Sequence, residues 1–241
     1  MLELVLAASG TALATGLGAI PVFLLGERAA RLTPGLLGIA AGSMTVASIE
    51  GLLLPGLDSG SGVEVGAGAV VGVVFLLAAK AVLGVERHES RRSASVTTSI
   101  LVFTVLLVHS LPEGFAIGTA YASDTAGLSL FVIVAIAVQN IPEGTSVAIP
   151  MAAAGYGAAR QFWAAVATSI PQPIGAVIAF LLVEEVTALL PLSFGFAAGA
   201  MLILVAIELV PRAFGEDARS AAAGTLLGAA AMLALSRVLG V

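Results

Sequence analysis

Long apolar runs decide what this chain can fold into. Charges and turn residues divide it into eight hydrophobic segments, near Leu4–Leu25, Pro34–Leu57, Val65–Val85, Ser95–Tyr121, Ala126–Ala154, Phe162–Val183, Leu189–Val210 and Ser220–Leu239. Several exceed the roughly 18 residues that mark a membrane span. Only 10% of the residues are charged, and mean hydropathy is +1.10, which leaves too few charges for the surface of a soluble domain. The expected fold is an all-α polytopic membrane protein, with eight transmembrane helices in one domain over residues 1–241. Met1-Leu2-Glu3 lacks the basic stretch of a signal peptide, so the first run is read as a retained helix.

The basic residues orient the helices. With the N-terminus outside, Arg28, Arg31, Lys80, Arg87, Arg91, Arg92, Arg160, Arg212 and Arg219 fall on the inner side, and only Arg237 lies toward the outer side. Asp58, Asp124, Glu184 and Glu185 occupy the outer connections. Both termini are therefore expected on the non-cytoplasmic side of an inner or plasma membrane.

The chain also repeats itself. Gly38-Ile39-Ala40-Ala41-Gly42-Ser43-Met44 in the second segment matches Gly195-Phe196-Ala197-Ala198-Gly199-Ala200-Met201 in the seventh, and Glu50 and Glu208 follow at similar offsets. Segments an odd number apart cross in opposite directions, so the echo predicts inverted repeats around a central pair, helices 4 and 5. Small residues also serve plain close packing, and such faces on helices 2 and 7 can support a homodimer.

A second echo falls on the central pair. His109-Ser110-Leu111-Pro112-Glu113-Gly114 recurs as Gln139-Asn140-Ile141-Pro142-Glu143-Gly144. An ionisable group at the bilayer centre costs about 2.5–3.5 kcal/mol on insertion scales, so two such glutamates need a reason to be there. Residues three and four apart share a helix face. Glu113 is thus flanked by His109 and Ser110, and Glu143 by Gln139 and Asn140. Both motifs lie roughly 20 Å below the outer turn, at about 1.5 Å per residue. Pro112 and Pro142 free the carbonyls of Val108 and Val138, which a membrane tolerates only where protein, water or a ligand satisfies them. A cation between the helices would meet oxygen and nitrogen donors in sequence. The chain has no cysteine, so these donors exclude thiolate sites, disfavour Cu(I) and suit Zn2+, Fe2+, Mn2+ or similar ions.

These motifs resemble the ZIP (Zrt/Irt-like) metal transporters, whose fourth and fifth helices carry paired Pro-Glu-Gly motifs. The Gly38–Met44 stretch and Glu208-Leu209-Val210-Pro211 are similar to that family's second and seventh helices. The resemblance implies a binuclear mid-membrane site. The first metal would be held by His109, Glu113, Gln139 and Glu143, and the second by Glu113, Asn140 and Glu143 with a sixth-helix ligand. Two positions depart from the family pattern: Ser110 replaces its Asn, and Gln172 replaces a sixth-helix Glu common among its members. Gln172 is either a weak ligand or a packing residue, and the second site is expected to be poor or vacant. Glu50 and Glu208 are either outer and inner way stations or scaffold carboxylates paired with arginines. His88, set among arginines, is read as part of a solvated charge run.

The resemblance implies inward transport of Zn2+ or a related ion such as Fe2+, Mn2+ or Cd2+, with helices 1, 4, 5 and 6 moving against 2, 3, 7 and 8. The metal is then substrate, and neither a cofactor nor a nucleic-acid partner is expected. The competing readings are a membrane-embedded metalloenzyme and a proton-coupled carrier of small solutes. The first lacks a His-Glu-x-x-His pair, and the second has no need of the His109 and Gln139 donors.

Overall fold

The computed structural model describes residues 1–82, 95–123 and 125–241. His88, Arg87, Arg91, Arg92 and Asp124 lie outside the described residues. Among the described residues, eight helices are long and apolar enough to cross a membrane, and no strand forms. They are α1 (Leu2–Leu25), α2 (Arg28–Ser59), α3 (Gly62–Val82), α4 (Ser95–Ala122), α5 (Leu128–Ala153), α6 (Ala158–Glu185), α7 (Thr187–Glu216) and α8 (Ala218–Leu239). The chain is thus a polytopic all-α membrane protein.

Proline placement explains most of the irregularity. α1 breaks after Leu17 and resumes at Ile20, next to Pro21, while α6 breaks after Thr168 and resumes at Pro171. In α2 and α7 the helix widens to a π turn over Ile49–Leu53 and Val205–Leu209. Each π turn ends two residues before a proline, Pro55 or Pro211. A proline ring collides with the carbonyl four residues back, and a widened turn relieves that collision. Glu50 and Glu208 sit on these two turns, so the sequence echo between α2 and α7 extends to backbone geometry.

Small residues set which helices touch. The most extensive packing joins α2 to α8, α7 to α3, α1 to α5 and α6 to α4. Each pair closes on glycine. A Cβ added to Gly42 would collide with the carbonyl oxygen of Thr225, one on Gly199 with that of Ala69, one on Gly114 with that of Gln172, and one on Gly144 with that of Thr15. The pairing is symmetric: exchanging helices 1–3 with 6–8 and 4 with 5 reproduces it, as an inverted repeat requires. The small-residue faces of α2 and α7 are consequently consumed inside the chain, against α8 and α3.

Two groups of helices result. One comprises α1, α4, α5 and α6; the other comprises α2, α3, α7 and α8. Among the described residues, one side-chain hydrogen bond joins the groups, between the hydroxyls of Thr119 and Ser193 at 2.5 Å. The rest of the seam is mostly apolar. Phe115 meets Phe196 with ring centroids 4.9 Å apart, and Gly51 lies against Phe131 and Val132. Helices α3 and α8 form the outer flanks, with only 22% of each apolar window buried, against 67% for α2, α4 and α5.

Gly144→Leu should prise α1 from α5, because the Thr15 backbone cannot yield as a flexible side chain would. Overpacking of this kind costs about 1–3 kcal/mol. The expected readout is a lower apparent Tm of the detergent-solubilised protein, with Gly10→Leu, at an open helix position, as the neutral control.

Candidate functional site

The central pair brings its polar residues together inside the protein. His109, Ser110 and Glu113 on α4 and Gln139, Asn140 and Glu143 on α5 are all buried, and so is Gln172 on α6. The four-residue spacing of each motif puts its first residue and its glutamate on the same helix face, turned toward the partner helix. Both helices continue through Pro112 and Pro142 without a break.

Around Glu113 the polar groups are satisfied. Its Oε1 accepts from Gln139 Nε2 at 3.1 Å, and its Oε2 accepts from Gln172 Nε2 at 2.6 Å. Gln172 and Asn140 form a reciprocal amide pair: Asn140 Nδ2 donates to Gln172 Oε1 at 3.2 Å, and Gln172 Nε2 donates to Asn140 Oδ1 at 3.3 Å. Thr11 Oγ1 shares its one proton between the Ala8 carbonyl at 2.8 Å and Gln172 Oε1 at 2.9 Å, while the Thr11 carbonyl accepts from Asn140 Nδ2 at 2.8 Å. The Gln172 amide therefore uses all four of its hydrogen-bonding positions, the most it can make. It fills the space between α1, α4, α5 and α6 as a neutral group, bonded to the residues that the family pattern would pair with a carboxylate.

The α1 break is served from the same side. Thr145 Oγ1 donates to the Gly18 carbonyl at 2.7 Å, and the hydroxyls of Thr15 and Ser169 meet at 2.6 Å beside the α6 break. Broken helices persist at membrane depth only when such partners take up the freed backbone groups.

On the other side of Glu113 the polar groups are unsatisfied. Both imidazole nitrogens of His109, Gln139 Oε1 and Glu143 Oε1 are buried without a hydrogen-bond partner. A buried polar atom left unpaired costs about 1–3 kcal/mol. Gln139 Oε1 and Glu143 Oε1 are acceptors, and a neutral imidazole keeps one lone pair, so the deficit is of something electron-poor. These three residues, with Glu113 beside them, are the set expected for the first metal. Among the described residues no three His, Asp or Glu side chains already converge on one point. The Gln139 amide, by donating to Glu113, occupies part of the gap.

Of the remaining expected residues, Ser110 is turned away from that centre and Glu208 borders it on the α7 side. Ser110 Oγ donates to the Leu106 carbonyl of its own helix at 3.0 Å, so its hydroxyl is committed to the backbone. Glu208, buried on the α7 π turn, pairs with Lys80 Nζ at 2.8 Å and with Arg212 Nη1 at 3.6 Å. The scaffold reading of Glu208 anticipated arginine; the nearer partner is the lysine. His109 Nε2 faces the same Glu208 oxygen at 3.6 Å. Glu50 lines a cavity of about 480 Å³ with Asp58, Thr125 and Val241, away from the central pair.

Thr11 and the Thr15–Ser169 pair carry no motif and were not singled out from the sequence. Their one signal is that they are polar residues within the apolar runs of α1 and α6, with Thr15 and Ser169 beside the helix breaks.

The profile of the family described as ZIP zinc transporter matches residues 77–236. Zinc transporter GufA of Myxococcus xanthus is 31% identical, over 94% of this chain and 95% of its own length. Zinc transporter ZIPB of Bordetella bronchiseptica is 34% identical, over 94% of this chain and 78% of its own. A longer Arabidopsis thaliana relative is 37% identical over 93% of this chain, which spans 37% of that protein.

Thr11→Val should leave Gln172 Oε1 with Asn140 as its one donor. The expected cost is about 1–2 kcal/mol. It should appear as a lower apparent Tm in detergent, larger than for Thr104→Val, whose hydroxyl bonds only to its own exposed helix turn.

Proposed function

The chain belongs to the ZIP zinc-transporter family, and on that premise we propose that it moves Zn2+ or a related divalent cation toward the cytoplasm through the buried centre between α4 and α5. It is a multi-pass membrane transporter of divalent metal, not an enzyme, and the metal is its substrate. The observation that carries the siting is the set of buried, unpartnered atoms on His109, Gln139 and Glu143 beside the Glu113 carboxylate. Oxygen and imidazole donors of this kind suit Zn2+ and its neighbours.

The two motifs act unequally in this reading. His109, Glu113, Gln139 and Glu143 hold the ion, with Gln139 turning its amide so that Oε1 faces the metal. The second position, where Glu113, Asn140 and Glu143 would need a sixth-helix carboxylate, is filled instead by the Gln172 amide, whose N–H groups already face Glu113 and Asn140. Ser110 is left out of both.

Translocation is proposed as movement of α1, α4, α5 and α6 against the other four helices. Sliding along the seam would sacrifice the Thr119–Ser193 bond and otherwise mostly apolar contacts, which reform at little cost. Outward-facing termini rest on the basic residues, nine of ten of which fall on one side, and inward direction rests on the family resemblance. The membrane is proposed to be the plasma or inner membrane. A homodimer would need a surface other than the small-residue faces that suggested it, since these pack inside the chain.

Uptake by proteoliposomes tests the reading. Zn2+, Cd2+, Fe2+ and Mn2+ are offered to wild type, Glu143→Ala and His109→Ala. Each substitution should reduce uptake by at least about tenfold, a loss seen even when an outer-shell partner of a metal ligand is removed. Uptake that survives both substitutions unchanged would place the pathway elsewhere. Gln172→Glu should raise the metal stoichiometry of the purified protein, measured by elemental analysis after equilibrium dialysis. An unchanged stoichiometry would mean that Gln172 does not set the vacancy of the second site.

A further inference from the structure

Lys80 is the one lysine in the chain, and it is not spent on the solvent. It lies in the last turn of α3, its side chain is 13% exposed, and its ammonium meets Glu208 Oε2 at 2.8 Å. The same oxygen faces His109 Nε2 at 3.6 Å. His109 belongs to one helix group, while Lys80 and Glu208 belong to the other. Glu208 Oε2 therefore sits on the seam between the groups, bonded within its own and facing across to an imidazole that has no hydrogen-bond partner.

The spacing across the seam has a chemical meaning. Zinc binds imidazole nitrogen and carboxylate oxygen at about 2.0–2.2 Å, so two ligands of one tetrahedral ion stand about 3.4 Å apart. His109 Nε2 and Glu208 Oε2 are close to that separation. The Lys80 ammonium already occupies that oxygen as a compact point charge on a flexible stem. Arg212, whose side chain is 35% exposed, approaches the other oxygen at 3.6 Å.

We propose that Lys80 is a tethered cation that neutralises Glu208 between transport events and is displaced from it by the transported dication as the ion passes from His109. Breaking a buried ion pair leaves an uncompensated charge, so Glu208 is never without a cation: Lys80 holds it when the metal is absent and releases it when the metal bridges to His109. Because Lys80 is attached to the protein, it competes at a fixed high local concentration and keeps the metal from resting on Glu208. Lys80 thereby sets release. It is a positioning residue for exit and does not belong to the central site. The inference rests on metal transport through His109, as proposed above.

The single lysine makes the test direct. Purified full-length protein in detergent is exposed to an amine-acylating reagent across a Zn2+ titration, and modification at Lys80 is quantified by mass spectrometry. Release from Glu208 should raise the Lys80 labelling rate by at least about fivefold, the lower end of ordinary coupling between two ligands. Labelling that is flat or falls with Zn2+ overturns the proposal. In parallel, equilibrium Zn2+ binding and proteoliposome uptake are compared for wild type, Lys80→Met, Lys80→Arg and the double variant Lys80→Met/Glu208→Gln, which removes the ion pair without leaving a lone carboxylate. Lys80→Met should bind Zn2+ at least about fivefold more tightly and turn over more slowly. Lys80→Arg should resemble wild type, and the double variant should lose the added affinity. A merely structural pair would lower Tm in Lys80→Met without tightening metal binding, and that result also overturns the proposal. Wild-type uptake that is lost with His109→Ala while Lys80 labelling ignores Zn2+ would leave the transport reading standing and remove this one alone.

Discussion

Glu113 is fully buried, with an amide donating to each of its oxygens. A carboxylate at this depth in a membrane has no water to solvate it, so the protein must supply every compensating group. That demand organises the centre of the molecule. Gln139 answers from α5 and Gln172 from α6; Gln172 in turn is held by Asn140 of α5 and Thr11 of α1. Four helices are thereby tied together by one chain of hydrogen bonds that begins at a single side chain. The glycines at their crossings let the backbones come close enough for these short polar groups to reach one another.

The second glutamate lacks such an answer. Glu143 Oε1, Gln139 Oε1 and the His109 nitrogens stay unpaired, and the imbalance between the two halves of the centre is what the proposed function depends on. A site that satisfied all its own groups would have nothing to offer a cation. A site that satisfied none would not hold four helices together. Here amides close one half, and the other is left electron-rich.

The division into two helix groups has the same economy. Within each group, glycine crossings and, around Glu113, polar bonds hold the helices; between groups, contacts are mostly apolar, with the Thr119–Ser193 pair and the His109–Glu208 approach as the polar exceptions. Apolar surfaces slide without leaving stranded donors, so motion along this seam is inexpensive compared with motion across either group.

Much was legible in the sequence because period and depth are properties of a single helix. Eight apolar runs set the number of spans, the paired Pro-Glu-Gly motifs put His109 and Gln139 at matched depth with a carboxylate one turn from each, and the repeated Gly-x-x-x-Gly stretch predicted an inverted repeat. What one helix does not encode is which partner a side chain meets. Ser110 stands on the same face as Glu113 by spacing, yet its hydroxyl returns to its own backbone. Thr11 and Thr15 are ordinary polar residues in an apolar run until α1 crosses α5 and α6. Lys80 reads as one more inner-side charge, and its pairing with Glu208 spans 128 positions of sequence, far beyond any helical period. The small-residue faces of α2 and α7 show that something packs closely there, but only tertiary structure decides that it is α8 and α3 of the same chain. Sequence alone determined the class, the number of spans and the two glutamates set within the central apolar runs, because hydrophobic length and the cost of an ion in hydrocarbon act on each segment separately. Tertiary structure decided which charges are answered and which are left open, because compensation of a buried group depends on what other helices bring within hydrogen-bonding distance.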